Sequence, residues 1–363
     1  MRITKISVKK LFGVFDHEIP LNQDSRITII HGPNGFGKTI LLTMLSGLFN
    51  SNYRVFREVP FEEFRVYLDH HEYLTVRRES DNLELSLTNV TGTQTLNPSV
   101  SNHGDDDWLQ QIKRSINVEL IKTQRLQTEV AIEADSVLDD NFADSHSRGL
   151  AVEEYSAKAA RIVHKAHGES KLSASQFREI DEIIDDLESL VQSEKATGNP
   201  SVAEIQEKFE FVRSMLDTVN RRTNSVEETH KRLTTLVQLL NGHFSYKTVF
   251  TDAKSGLVIL GQDGNLIPVS KLSSGEQHQL VLFSKLLFDV PKKSVVLIDE
   301  PELSLHVTWQ HEFLADLKRI IELRDFDVLV ATHSPHIVHD KLDWMIDLHN
   351  PEADFSDAVV EYA

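Results

Sequence analysis

The period of the apolar positions changes twice along this chain and divides it into three stretches. Residues 1–8 alternate apolar and polar side chains as a half-buried strand does. Ile27-Thr28-Ile29-Ile30 is a compact apolar run that stops at Gly32-Pro33-Asn34-Gly35. Beyond it Leu41, Leu42, Met44, Leu45 and Leu48 recur at helical spacing. Short runs at 64–68, 73–76 and 83–87 predict further strands. Asp69-His70-His71 and residues 79–82 read as turns, and 97–107 as a polar loop.

An acidic, aperiodic stretch over 133–147 reads as a linker. After it the period becomes helical. Val152, Tyr155, Ala159, Ile162, Val163 and Ala166 form one stripe, and three more run from Phe177 to Val191, Val202 to Val219 and Val226 to Leu240. Ser173 and Ser201 precede Gln176 and Glu204 at capping-box spacing. The stripes are short and drift from strict heptads, which predicts a compact bundle rather than a long coiled coil. Strand runs return at 246–251, 257–260 and 265–269, then a helix over 276–287. Two strands of the buried type, 294–298 and 327–331, are joined by a helix over 307–323. Apolar runs alternating with helices predict a parallel sheet with helices on its faces. The expected division is 1–140 and 244–363 as the two parts of one α/β head, with 141–243 as a helical insertion.

Charge and composition narrow the classes. The net charge of −18 disfavours strong non-specific nucleic-acid binding and an acidic membrane surface. With no cysteine there is no disulfide, thiolate metal site or thiol nucleophile. No apolar run approaches the ~20 residues a bilayer requires, and no export signal is read, so a cytoplasmic location is expected.

The candidate chemistry sits at strand ends. Gly32-Pro33-Asn34-Gly35-Phe36-Gly37-Lys38-Thr39 meets every fixed position of G-x-x-x-x-G-K-[ST], between a strand and an amphipathic helix. Such a loop curls its amides around a phosphate, and the helix N-terminus adds positive potential. Lys38 is expected on the β/γ-phosphates of ATP and Thr39 on Mg²⁺. Val295-Val296-Leu297-Ile298 runs into Asp299-Glu300, where Asp299 is the candidate metal ligand and Glu300 the group that orients the attacking water. Val328-Leu329-Val330-Ala331 ends likewise at Thr332-His333, with His333 able to donate to a γ-phosphate.

Together these residues resemble the ABC-type P-loop ATPases. Gly32 to Thr39 resembles Walker A, Leu297 to Glu302 Walker B, Thr332-His333-Ser334 the H-loop, Leu272 to Gln277 the signature, and Thr123-Gln124-Arg125-Leu126 the Q-loop. The resemblance implies Gln124 at the metal and catalytic water. It also implies a head-to-tail homodimer, or higher homo-oligomer, in which Ser273, Ser274 and Gly275 of one copy meet the nucleotide on the other's Walker A. Phe12 or Phe15 is the expected adenine platform.

Two departures, His306 where an Asp is common and Ser274/Glu276 in the signature, resemble the SMC/RecF/OLD-like branch. The wording Asp299-Glu300-Pro301-Glu302-Leu303-Ser304-Leu305-His306 is similar to the small AAA-labelled ATPases of Septu- and OLD-like anti-phage systems. Too little chain follows His333 for a Toprim nuclease, so an effector nuclease is expected as a partner, with nucleic acid reached through it. The alternative is a RecF-like repair ATPase binding DNA through Arg65, Arg77, Arg78, Lys113, Arg114 and Lys122.

Overall fold

The computed structural model describes residues 1–79, 82–96, 107–122, 227–252 and 256–349. Thr123-Gln124-Arg125, the acidic linker and the helical stripes between 152 and 219 lie outside them. The chain divides into two compact units, one of residues 1–151 with 272–363 and the other of 152–271.

The first unit carries two sheets. Its opening strands β1 (Ile3–Leu11) and β2 (Phe15–Pro20) pair antiparallel with each other, and β1 pairs with β4 (Glu63–Leu68). With β5 (Tyr73–Glu79), β6 (Asn82–Asn89) and β7 (Gly92–Leu96) they form a six-stranded sheet ordered β2-β1-β4-β5-β6-β7. Its inner face alternates as the sequence pattern predicts, with Phe64, Val66, Leu74, Val76, Leu83 and Leu85 buried.

The second sheet is parallel throughout and ordered β13-β3-β12-β11-β8. Its strands are β3 (Ile27–His31), β8 (Val118–Lys122), β11 (Val295–Asp299), β12 (Asp327–Thr332) and β13 (Met345–Asp347). All five residues of β11 are buried, as a strand covered on both faces requires. Helix α1 (Lys38–Phe49) occupies the core between the sheets. Leu41, Leu42, Met44, Leu45 and Leu48, each at most 2% exposed, share one apolar cluster with both.

That cluster includes Val295, Leu297, Leu329 and Ala331 from the parallel sheet, which are alternate residues and so lie on the α1 face. Val296, Ile298, Val328 and Val330 are equally buried on the opposite face. By the same alternation Asp299 falls on the α1 face, while Thr332 and its register partner His31 fall on the other.

Short helices α2 (Arg54–Glu58) and α3 (Asp107–Ser115) precede β8. Helix α5 (Ser274–Ser284) continues as one π-helical turn over Lys285–Asp289, and α6 (Val307–Arg324) precedes β12. Helix α7 (Pro335–Val338) follows β12. The N-terminus is tied to β12 by Arg2 and Arg26, which both donate to Asp327.

In the second unit the described residues form a helix over 227–243 (α4) and an antiparallel pair, β9 (Lys247–Asp252) with β10 (Gly256–Gly261). The strand expected over 265–269 is replaced by a single bridge, Leu260 to Leu266. Asp263 accepts from Asn265 N and Nδ2 in a tight turn, and Pro268 has no N–H to extend a ladder. Among the described residues no helix is long and apolar enough to cross a membrane.

Candidate functional site

The loop between β3 and α1 is built for close approach to its backbone. Gly35 (φ +93°) and Gly37 (φ +86°) are left-handed, a conformation in which a side chain is strained. Gly37 caps α1 without any side-chain hydrogen bond, and the first turn carries no acid. The leading amides of a twelve-residue helix therefore face the loop unscreened, an anion-seeking arrangement. Lys38 is only 5% exposed and its Nζ donates to the carbonyls of Gly32 (2.6 Å) and Pro33 (3.0 Å). Burial holds the Lys38 amine below its ordinary value, against the pull of Glu300, Glu302 and Asp299 nearby.

Thr39 Oγ1 donates to Asp299 Oδ1 at 2.9 Å, joining the first turn of α1 to the end of β11. Burial pushes the Asp299 carboxyl up, and the Thr39 hydrogen bond opposes it. A hydroxyl beside a buried carboxylate is a hard-oxygen donor set that fits Mg²⁺. A cavity of about 580 Å³ opens beside Thr39 between α1, α2 and β8. Thr39 is the only residue of the Gly32–Thr39 loop in its lining, so this cavity is an approach to the Thr39–Asp299 pair rather than the phosphate cradle.

Glu300 adopts φ 49°, ψ 58°, a left-handed backbone in a bulky residue. That strain is sustained by the hydrogen bond from Glu300 N to Ala331 O (2.8 Å) and by the Pro301–Ser304 turn that follows. Glu300 Oε1 lies 3.7 Å from His333 Nδ1. His333 itself is held at 2.9 Å by Oε1 of Glu302, a residue to which the sequence pattern attaches no role. Burial also lowers His31, which senses Asp347, Lys38, Glu302 and His333.

Aromatic rings surround the loop. His17 is buried on β2, and its Nε2 hydrogen-bonds the Phe36 carbonyl at 3.0 Å. Phe36 packs on Phe15 (5.0 Å between centroids) and on the edge of His349 (5.4 Å). Phe15 is thus used up within the protein. Phe12 is left-handed (φ 56°), 39% exposed, and lies against Gly37, where a Cβ would meet its ring at 3.4 Å.

Ser273 caps α5 in a capping box: its N and Oγ both reach Glu276 Oε2, at 2.8 and 2.9 Å. Ser273 and Ser274 are exposed. His306 caps α6, its Nδ1 accepting from Thr308 N, so a histidine performs there the capping that an Asp could supply.

Lys38, Thr39, Asp299, Glu300 and His333 are therefore brought together, whereas Gln124 lies outside the described residues. Within the basic set named from the sequence, Arg65, Arg77 and Lys113 have local partners. Arg65 and Arg77 both bind Glu63, which is 6% exposed, with Lys9 at 3.9 Å. Burial pushes Glu63 up, but the two arginines outweigh it and hold its carboxyl below the usual range. Lys113 donates to Ser51 and Tyr53.

A phosphate-type loop on a helix N-terminus, with carboxylates and a histidine at neighbouring strand ends, defines a P-loop ATPase. A model of the AAA ATPase domain family matches residues 1–338, and the chain belongs to that family. Over 72 residues it is 39% identical to protein ea59 of Escherichia phage lambda, a stretch that is 19% of this chain and 13% of that protein. Over 73 residues it is 37% identical to UvrABC system protein A of Chlamydia pneumoniae, 20% of this chain and 4% of that protein. The chain thus spans a small part of the length of these relatives.

Among solved structures, the Smc head domain of Pyrococcus furiosus, described with an extended coiled coil and bound to the C-terminal domain of ScpA, overlays with a TM-score of 0.41. Identity is 14% over 95% of this chain and 93% of that one. The SMC head domain from Thermotoga maritima gives 0.42, with 12% identity over 96% and 94%.

Proposed function

We propose that this ATPase hydrolyses Mg·ATP at a composite site completed by a second copy of the chain, and that it drives or senses for an effector nuclease in an anti-phage complex. The observation that carries the catalytic part is the convergence of Thr39 with Asp299 at 2.9 Å and of Glu300 and His333 around the buried Lys38. The loop amides and Lys38 bind and orient the phosphates. Thr39, Asp299 and Gln124 would hold Mg²⁺, which would neutralise developing charge on the phosphates. Glu300 orients and polarises the attacking water, and His333 donates to the terminal phosphate. Phe12, exposed and strained beside Gly37, is favoured over Phe15 as the adenine platform.

The dimer reading is supported by the exposure of Ser273 and Ser274 at an helix N-terminus that belongs to the same compact unit as the P-loop. The effector reading rests on the OLD- and Septu-like wording of residues 299–306. Co-purification from the native host tests it, and a chain that captures no nuclease there sinks it. The DNA-binding alternative is disfavoured by the commitment of Arg65 and Arg77 to Glu63.

The Glu300→Gln variant keeps the shape of the side chain and removes its charge. Turnover is expected to fall at least ~100-fold while ATP binding persists and a nucleotide-bound dimer accumulates. Turnover at the wild-type rate would show that another group handles the water.

A further inference from the structure

Glu302 is buried on the Pro301–Ser304 turn, 8% exposed. Its Oε1 accepts hydrogen bonds from Thr332 Oγ1 at 2.7 Å and His333 N at 2.8 Å, and lies 2.9 Å from His333 Nδ1 in an ion-pair contact. One oxygen therefore gathers the entire Thr332–His333 corner at the end of β12. The other oxygen, Oε2, is buried without a hydrogen-bond partner among the described residues. So is Nδ1 of His31, which stands beside Thr332 in register on β3 and on the same face of the sheet. A buried carboxylate with one crowded oxygen and one orphan is an unfavourable way to hold a corner together. Backbone pairing between β3 and β12 already fixes the strand ends. The arrangement calls for a reason beyond folding.

The reason lies in the imidazole. For Nδ1 to approach a carboxylate oxygen to 2.9 Å it must carry a hydrogen. That leaves Nε2 as the working nitrogen, and the close contact at Nδ1, with the backbone bond from His333 N to the same oxygen, restrains the ring. Glu300 Oε1, at 3.7 Å from the same nitrogen, is beyond hydrogen-bond reach and does not compete for it. The two acids on either side of Pro301 thus divide the labour: the first faces the water, the second holds the histidine.

We infer that Glu302 is a positioning residue that fixes the tautomer and orientation of His333, so that Nε2 is the nitrogen offered to the terminal phosphate of the bound nucleotide. This rests on the reading of His333 as the phosphate-facing group. Histidine ring ¹⁵N spectra of the full chain at about pH 8, with the His333 signals assigned by their loss in His333→Ala, read the tautomer without any turnover. The expected result is Nδ1–H in the wild type and a mixed population in Glu302→Gln. A wild-type ring protonated at Nε2 alone overturns the inference.

Turnover gives the second arm. Glu302→Ala is expected to lower kcat about 10- to 100-fold with KM changed less than about threefold, and Glu302→Gln, which keeps an acceptor oxygen, to recover part of that. In a double variant with His333→Ala the loss should match that of His333→Ala alone, because Glu302 acts through the ring. Losses that multiply would show that Glu302 works independently and would overturn the proposal. A wild-type chain with the expected tautomer but no hydrolysis leaves the Glu302–His333 geometry standing and instead sinks the turnover reading.

Discussion

At the scale of single residues, the two aromatic candidates beside the P-loop separate cleanly. Phe15 stacks on His17 and packs at a tilt against Phe36, so its removal opens the packing that supports the loop. Phe12 is half-exposed in a left-handed backbone that a bulky residue rarely adopts. That backbone belongs to the tight β1–β2 turn, in which Lys10 and Gly13 are left-handed too, and it leaves the ring beside Gly37. Phe12→Ala should raise the KM for ATP about tenfold with kcat little changed, since one base–aromatic stack is worth ~1–3 kcal/mol. Phe15→Ala should lower the melting temperature instead. Steady-state turnover and a melting curve on both variants check the pair, and an unchanged KM for Phe12→Ala removes it from the adenine site. The sequence pattern leaves these two rings equivalent, because exposure and backbone strain depend on how the β1–β2 turn meets Gly37. Glu302 was hidden for a related reason. It stands in full view between Pro301 and Leu303, yet its role arises from the register that sets Thr332 and His333 beside it.

At the scale of elements, the strongly periodic pieces were legible and the short ones were not. The apolar runs of β3, β11 and β12 and the stripe of α1 are dictated by burial on two faces, and they appear where the pattern puts them. Strand β13 is three residues long and half-buried, too short for any period to show. Strand β2 hides because its inward residues include His17, a polar side chain satisfied by the Phe36 carbonyl. Helix α5 carries a surprise of the same sort: Glu276, Gln277, His278 and Gln279 are all buried. Burial lowers His278 from 6.5 to about 4, and its Nε2 has no hydrogen-bond partner among the described residues. A histidine held below its unfolded value leaves the folded chain short of a proton that the unfolded chain binds. Stability is therefore full above about pH 6.5, falls as pH drops through that value, and the loss levels off near the folded value of about 4. The full span corresponds to about 3 kcal/mol. Urea denaturation at about pH 7 and pH 5 should show this slope in the wild type and a shallower one in His278→Leu. Equal slopes would place the pH sensitivity elsewhere.

At the scale of the whole molecule, the question is whether one chain holds a complete site. The P-loop amides and the N-terminus of α5 are both poised for anions, yet Ser273 is bonded to Glu276 within its own helix. Its one hydroxyl proton goes to Glu276 and its remaining lone pair can only accept, so serving a neighbour's phosphate requires that proton to turn from the carboxylate to the incoming oxygen while the cap from Glu276 N is kept. If the site is shared, damage to Walker A and damage to the signature must complement each other. Lys38→Ala should be inactive alone, as should Ser273→Arg, whose bulk blocks the approach of a partner. Loss of the cap costs the Arg variant only about 1 kcal/mol, so it remains folded, which a melting curve verifies. Mixed in equal amounts, half of the dimers formed carry one chain of each kind. Each such dimer unites an intact Lys38 with an intact Ser273 at one of its two sites. With independent sites the mixture should recover about a quarter of wild-type turnover. Recovery should also rise with protein concentration, since it requires assembly. A mixture as inactive as its components would mean that Ser273 does not complete its partner's site. A Ser273→Arg chain fully active on its own would mean that no partner is needed. Either result would confine the chemistry to Lys38, Thr39, Asp299 and Glu300 of a single chain.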